Sequence, residues 1–198
     1  EFFRRDSPTG SLLGTHLLSA HAANRGWILR ALDATNAYFQ GDRLSRDIYL
    51  RPPRGLAGVP EGALLKAEKA IYGFTDAARN WWTRLKGVFE ELGAQVSKTE
   101  PALFHLHDPA DGRLIGIFEV HVDDVLYAME DSGKTADFMR RLTSTIEFGK
   151  AKAATDANGF EYCGRRYRQN DALQVTIDME KYATSLEPVK MTRERRAE

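Results

Sequence analysis

Leu32-Asp33-Ala34-Thr35-Asn36-Ala37-Tyr38-Phe39-Gln40-Gly41 and, further along, His121-Val122-Asp123-Asp124 carry the three aspartates on which the reading of this chain turns. Asp33 follows the alternating run Trp27 to Leu32. Asp123 and Asp124 interrupt the apolar run Ile115 to Met129, so each acid sits at the end of an expected strand. Strand ends are rigid mounts for ligands. Phosphoryl transfer with two Mg²⁺ ions roughly 3.5–4 Å apart needs carboxylates that both ions share, one ion activating a hydroxyl and the other neutralising the leaving oxygen. Taken singly, Asp33 also reads as a strand-end turn residue or a helix N-cap, and Asp123-Asp124 as an ordinary hairpin turn.

With 198 residues, 42% hydrophobic and 28% charged, the chain suffices for one globular domain with a core, or one lobe of a larger protein. Its start at Glu1 reads as that of an excised fragment. No apolar run approaches the roughly 20 residues of a membrane span, so no membrane partner is expected. Cys163 is the only cysteine, which excludes an internal disulfide and fits a reducing, intracellular compartment. The 28 basic and 28 acidic residues cancel, a mark against nucleic-acid binding through overall charge. Clusters at Arg4-Arg5, Arg165-Arg166-Tyr167-Arg168 and Arg193 to Arg196 leave room for a local phosphate-binding patch.

Residues 12 to 26 read as a helix capped by Ser11 or Thr15 and stopped by Gly26. A strand then delivers Asp33, residues 36 to 41 form a helical turn closed by Gly41, and Asp47 to Leu50 is a strand ended by Pro52-Pro53. A glycine-rich loop covers 54 to 62, and Leu64 to Ile71 is ambiguous between strand and helix. Trp81, Leu85, Val88, Phe89 and Leu92 make the apolar face of a helix over 77–92 that Gly93 ends. Strands are expected at Pro101 to His107 and within Leu114 to Met129, the latter a hairpin bent at Asp123-Asp124. Phe138, Met139, Leu142 and Ile146 mark another helix. Tyr162 to Arg168 and Leu173 to Ile177 read as a hairpin turning at Asn170-Asp171, before a short helix over 179–186. The order is α+β, with mostly antiparallel strands and helices packed on one sheet face.

These motifs resemble, from about Ser7 to Pro188, the reverse transcriptase domain of copia-type retrotransposons. The residues that carry the resemblance are Asp33-Ala34-Thr35-Asn36-Ala37-Tyr38 with Gly41, then Ile48-Tyr49-Leu50-Arg51-Pro52-Pro53-Arg54-Gly55, then Tyr72-Gly73-Phe74 with Arg79 and Trp81, then Val122-Asp123-Asp124. The resemblance implies one polymerase palm with part of the fingers over residues 1–198, acting as an RNA-directed DNA polymerase on a primed RNA or DNA template with dNTP. It implies Asp33, Asp123 and Asp124 as catalytic ligands of two Mg²⁺ ions, with Mn²⁺ as a substitute, and Ala34 as lending its carbonyl to a metal or its amide to a phosphate. Tyr38 is implied to close off the sugar 2′ position. Phe160-Glu161-Tyr162-Cys163-Gly164 is loosely similar to the hairpin that grips the primer end, with Arg165, Arg166 and His121 beside it. Ribonuclease H and integrase regions are the implied partners in a full polyprotein.

Several positions depart from the family pattern. Thr75-Asp76-Ala77-Ala78-Arg79 places a carboxylate, Asp76, where the family has a neutral amide near the incoming nucleotide, an unfavourable charge unless a metal or Arg79 compensates. His121 replaces a tyrosine. Basic fingers residues are nearly absent before Ser7 and no thumb follows Glu198, so this piece by itself is expected to extend primers poorly. A non-catalytic palm that binds nucleic acid or protein is therefore a rival reading, and a two-metal nuclease or phosphatase, which has no use for Tyr38, is another. Blander roles stand beside the sharp ones: Tyr38 as a core aromatic, Trp81 and Trp82 as core and rim of a helix, Cys163 as a small strand hydrophobe, and His105 and His107 as a same-face pair lacking a third metal ligand.

Overall fold

The computed structural model describes residues 6–188, so the clusters Arg4-Arg5 and Arg193 to Arg196 lie outside the described residues. Helix α1 (Leu12–Arg25) begins where the Ser11 hydroxyl accepts from the Gly14 amide and ends at Gly26, whose φ of 68° suits glycine. Strand β1 (Leu29–Asp33) leads to a single 3₁₀ turn, Ala37–Gln40, closed by the Gly41 amide on the Tyr38 carbonyl. Strands β2 (Tyr49–Leu50) and β3 (Leu65–Lys66) pair only with each other. The strand expected over Asp47 to Leu50 ends at Leu50 as expected before Pro52-Pro53, but begins only at Tyr49.

Helix α2 (Ala77–Glu91) buries Trp81, Leu85, Val88 and Phe89, the stripe its sequence prescribes. Strands β4 (Ala94–Val96), β5 (Leu103–His107), β6 (Leu114–His121) and β7 (Asp124–Met129) follow, then α3 (Gly133–Thr145), opened by a Ser132–Thr135 capping box. The chain continues through β8 (Lys152–Ala153), β9 (Phe160–Tyr162), β10 (Arg165–Gln169), β11 (Val175–Asp178) and the short helix α4 (Glu180–Thr184). The main sheet has six strands in the order β4-β5-β6-β7-β1-β8, and β11-β10-β9 form a second, all through antiparallel pairs.

The fold is α+β, and the main sheet is covered on both sides. On one, Leu32, Phe104, Phe118, Val120, Val125 and Tyr127 pack with α2 and α3 residues such as Trp81, Phe89, Phe138 and Leu142. On the other, Leu29, Ala31, Ile117, Leu126 and Ala128 meet Leu18 and Ala22 of α1 and Phe160, Tyr162 and Tyr167 of the small sheet. The expectation that helices share one face holds for α2 and α3 and is corrected for α1. The reason is visible in β6, whose interior is buried on both sides and therefore needs cover on both. Each fully buried Leu or Phe in these layers contributes roughly 1.5–3 kcal/mol. Among the described residues, no helix is long and apolar enough to cross a membrane.

Candidate active site

Strand register brings the acids together. Asp33, the last residue of β1, is the cross-strand partner of Asp124, the first residue of β7, and Asp124 is also the partner of His121 at the end of β6. The β6–β7 turn consists of Val122 and Asp123, one residue earlier than the bend expected at Asp123-Asp124. Val122 adopts φ 60°, a left-handed conformation that a β-branched residue tolerates poorly. Two hydrogen bonds hold it there: Trp81 Nε1 donates to the Val122 carbonyl at 2.7 Å, and the Ala34 amide donates to the Asp123 carbonyl at 2.8 Å. The Ala34 amide is therefore engaged by the turn, and its carbonyl is the atom the metal reading uses.

The end of β1 is pinned from its other side, where the Gly149 amide donates to the Asp33 carbonyl at 2.8 Å and the Thr35 amide to the Glu147 carbonyl at 3.0 Å. Within this frame the Asp124 carboxyl is raised above the usual range, first by burial, then by the charges of Asp123 and Asp33, while His121 and Lys152 pull the other way. Tyr38 lies close enough to feel the same charge: burial, then Asp123, then Tyr72 raise its hydroxyl pKa. Its ring is half-buried against the main core and stands 4.6 Å from that of Tyr72.

Asp76, at the N-terminus of α2, does not stand as an uncompensated charge. Arg46 grips it through both guanidinium Nη atoms, one bond measuring 2.8 Å, with side chains 26% and 14% exposed. The cation that compensates it is Arg46; Arg79, which the sequence offered as an alternative to a metal, sits 4.7 Å over the Trp82 ring and reaches the Asp6 carbonyl and carboxylate at 3.4 and 3.8 Å. Arg46 was legible only as one of many surface arginines, since the pairing spans thirty positions.

The reverse transcriptase (RNA-dependent DNA polymerase) family model matches residues 1–195. The chain belongs to that family. It is 31% identical over 126 residues, 63% of its length, to the Retrovirus-related Pol polyprotein from transposon RE1 of Arabidopsis thaliana, and 31% identical over 127 residues, 64%, to that from transposon RE2. The matched stretch covers 8% of either relative. No solved structure matches. A copia-type reverse transcriptase domain thus accounts for the order of motifs read from the sequence.

In this reverse transcriptase domain the segment likened to a primer-gripping hairpin is β9–β10, turning at Cys163 and Gly164, with φ 47° and 72°. Both residues in the left-handed region define a two-residue hairpin turn, so the continuous strand expected from Tyr162 to Arg168 is broken there. Cys163 is exposed at the turn, not a strand hydrophobe, and desolvation followed by the Asp124 charge pushes its thiol up to about 11. Tyr162 is buried, and His121 meets it edge-on at 6.4 Å. Arg165 and Arg166 are half-buried, with Arg166 3.9 Å from Glu180.

The family uses divalent metal ions. Asp33, Asp123 and Asp124 are hard oxygen donors of the type Mg²⁺ and Mn²⁺ take, and the charges of Asp123 and Asp33 add to the rise at Asp124. As the side chains stand, no group of three or more His, Cys, Asp or Glu among the described residues is arranged to hold a metal ion, His105 and His107 included.

Proposed function

We propose that this reverse transcriptase domain is the palm, with part of the fingers, of an RNA-directed DNA polymerase within a retrotransposon Pol polyprotein. The register that sets Asp33 opposite Asp124, with Asp123 in the adjoining turn, is the observation that carries the reading. On this reading Asp33, Asp123 and Asp124, with the Ala34 carbonyl, hold two Mg²⁺ ions, for which Mn²⁺ substitutes. Bound there, the ions supply Lewis acidity to a primer 3′-hydroxyl and charge neutralisation to a triphosphate. The chain's own groups do the rest: Tyr38 closes off the 2′ position beside Asp123, Arg79 lies at the same end of α2 as the Arg46–Asp76 pair, and the β9–β10 hairpin with His121 holds the primer end. Ribonuclease H and integrase regions complete the polyprotein. Primer extension on a primed RNA template with dNTP and Mg²⁺ tests this; growth of product that depends on Asp123 supports it.

A non-catalytic palm that binds nucleic acid or protein is the second reading. It is favoured by a net charge of zero, which offers phosphates no overall positive surplus. Duplex binding that survives Asp123→Asn, without extension by either protein, would decide for it.

A further inference from the structure

Glu119 is the one acid in the interior of β6, between Phe118 and Val120, and has no exposed surface. It points to the α1 side of the sheet, where its Oε2 accepts from the Thr15 hydroxyl at 2.8 Å and its Oε1 has no hydrogen-bond partner. Two glycines make room for it. A Cβ on Gly10 would stand 2.7 Å from the Glu119 Cδ, and one on Gly14 2.5 Å from Oε1, while the Gly10 amide donates to the Val120 carbonyl at 2.9 Å. From the small sheet, the buried hydroxyl of Tyr162 lies near enough to Glu119 and Cys163 to interact with both, but in a geometry that makes a well-aligned hydrogen bond to neither. The remaining groups facing this layer are Glu100, held by the Ser11 hydroxyl at 2.6 Å, then Cys163 and Asp124 beyond Tyr162, and His121, whose Nδ1 is also buried and unpartnered.

We propose that Glu119 is a positioning residue: as a neutral carboxyl it seats both the first turn of α1, through Thr15, and the β9–β10 hairpin, through Tyr162, on the strand that leads into the Asp123 turn. Burial pushes the carboxyl up to about 7, with Glu100 adding to the rise, against the Thr15 hydrogen bond and smaller contributions from the Ser11 amide and the Tyr162 hydroxyl. Ionised, it has the Thr15 and Tyr162 hydroxyls and the Ser11 backbone amide to turn to, all neutral, and a second carboxylate, Glu100, nearby, which together do not offset the lost hydration. Water then has to enter, and it enters by parting α1 or β9 from β6. The catalytic meaning of this seat rests on the polymerase reading, since the hairpin is where a primer end is held; the seat itself does not.

The test is amide hydrogen exchange of the full chain at pH 6 and pH 8, corrected for intrinsic rates, in wild type and Glu119→Gln, whose amide is a neutral isostere. In wild type, protection of residues 12–19 and 160–169 falls about tenfold relative to β5 and β7 between the two pH values, the shift expected when opening lowers a carboxyl from about 7 to its ordinary range. In Glu119→Gln, protection does not change. Tyr162→Phe keeps the fall in residues 12–19 and loses it in 160–169. Equal protection of wild type at both pH values, or the same fall in Glu119→Gln, overturns the proposal. Primer extension measured on the same samples separates the two claims: absent extension with the exchange pattern intact removes the polymerase reading alone.

Discussion

Asp33 and Asp124 are direct cross-strand partners, the last residue of β1 against the first of β7, on neighbouring strands of the main sheet. Like charges placed opposite each other are destabilising by roughly 0.2–1 kcal/mol, and the raised Asp124 carboxyl has these neighbours among its causes. A carboxyl raised in the folded state favours folding at low pH and loses that advantage as pH rises through its folded pKa. Asp124→Asn is therefore expected to be more stable than wild type in EDTA at pH 7, by roughly 0.2–1 kcal/mol. Saturating Mg²⁺ should stabilise wild type more than the variant. Urea denaturation with and without Mg²⁺ measures both; a less stable variant in EDTA would count against the repulsion.

The left-handed Val122 depends on Trp81, whose indole N–H reaches its carbonyl. Trp81→Phe removes that donor and is expected to cost about 1–3 kcal/mol through the stranded carbonyl alone. Trp82 is also buried, but its Nε1 has no partner, so Trp82→Phe should cost less in the same denaturation experiment. In nucleotide addition, Trp81→Phe should lower kcat and leave the KM for dNTP nearly unchanged, because the turn carries acids rather than a nucleotide pocket.

The Arg46–Asp76 pair changes what Asp76 means for nucleotide binding. A two-point guanidinium–carboxylate contact neutralises the acid. Arg46→Gln should weaken dNTP binding, and Arg46→Gln with Asp76→Gln should restore it, with larger effects at low salt. The stability coupling of the two residues in a double-mutant cycle should be on the order of 1 kcal/mol. Identical nucleotide affinity in all four proteins would place the pair outside the reach of the triphosphate.

Glu119 has a consequence for stability as well. Its folded pKa of about 7 lies above the ordinary 4.5, so its contribution is complete below pH 4.5 and is lost as pH rises to about 7, a change on the order of 3 kcal/mol. Denaturation of wild type should show this decline between pH 5 and pH 8 in excess of that of Glu119→Gln. Parallel pH curves for the two proteins would contradict it. Gly14→Ala, which drives a methyl into Oε1, should cost about 1–3 kcal/mol at any pH.

Local chemistry was what the sequence made legible. Ser11 and Gly26 bracket α1, the apolar stripe from Trp81 to Phe89 defines α2, and the acid pair marks a hairpin end. Long-range choices were not legible. Helix α1 leaves Leu12, Leu13 and Leu17 exposed and buries Gly14, Thr15, Leu18, Ser19 and Ala22, so most of its leucines do not point to the face it covers. Strand β4 has three residues directly after Gly93, too short for a period to register. The break at Cys163-Gly164 lacks the usual Asn or Asp before the glycine. Glu119 leaves one signal in the sequence: a lone acid inside an apolar strand, four residues before Asp123.

The central claim is that Asp33, Asp123 and Asp124 act together on divalent ions, and electron paramagnetic resonance titration with Mn²⁺ in the presence of primer, template and dNTP tests it most directly. Wild type is expected to bind two ions, and Asp33→Asn and Asp124→Asn each to lose at least one, since both substitutions remove a shared ligand. Mn²⁺ binding that is the same in wild type and in both variants would contradict the account.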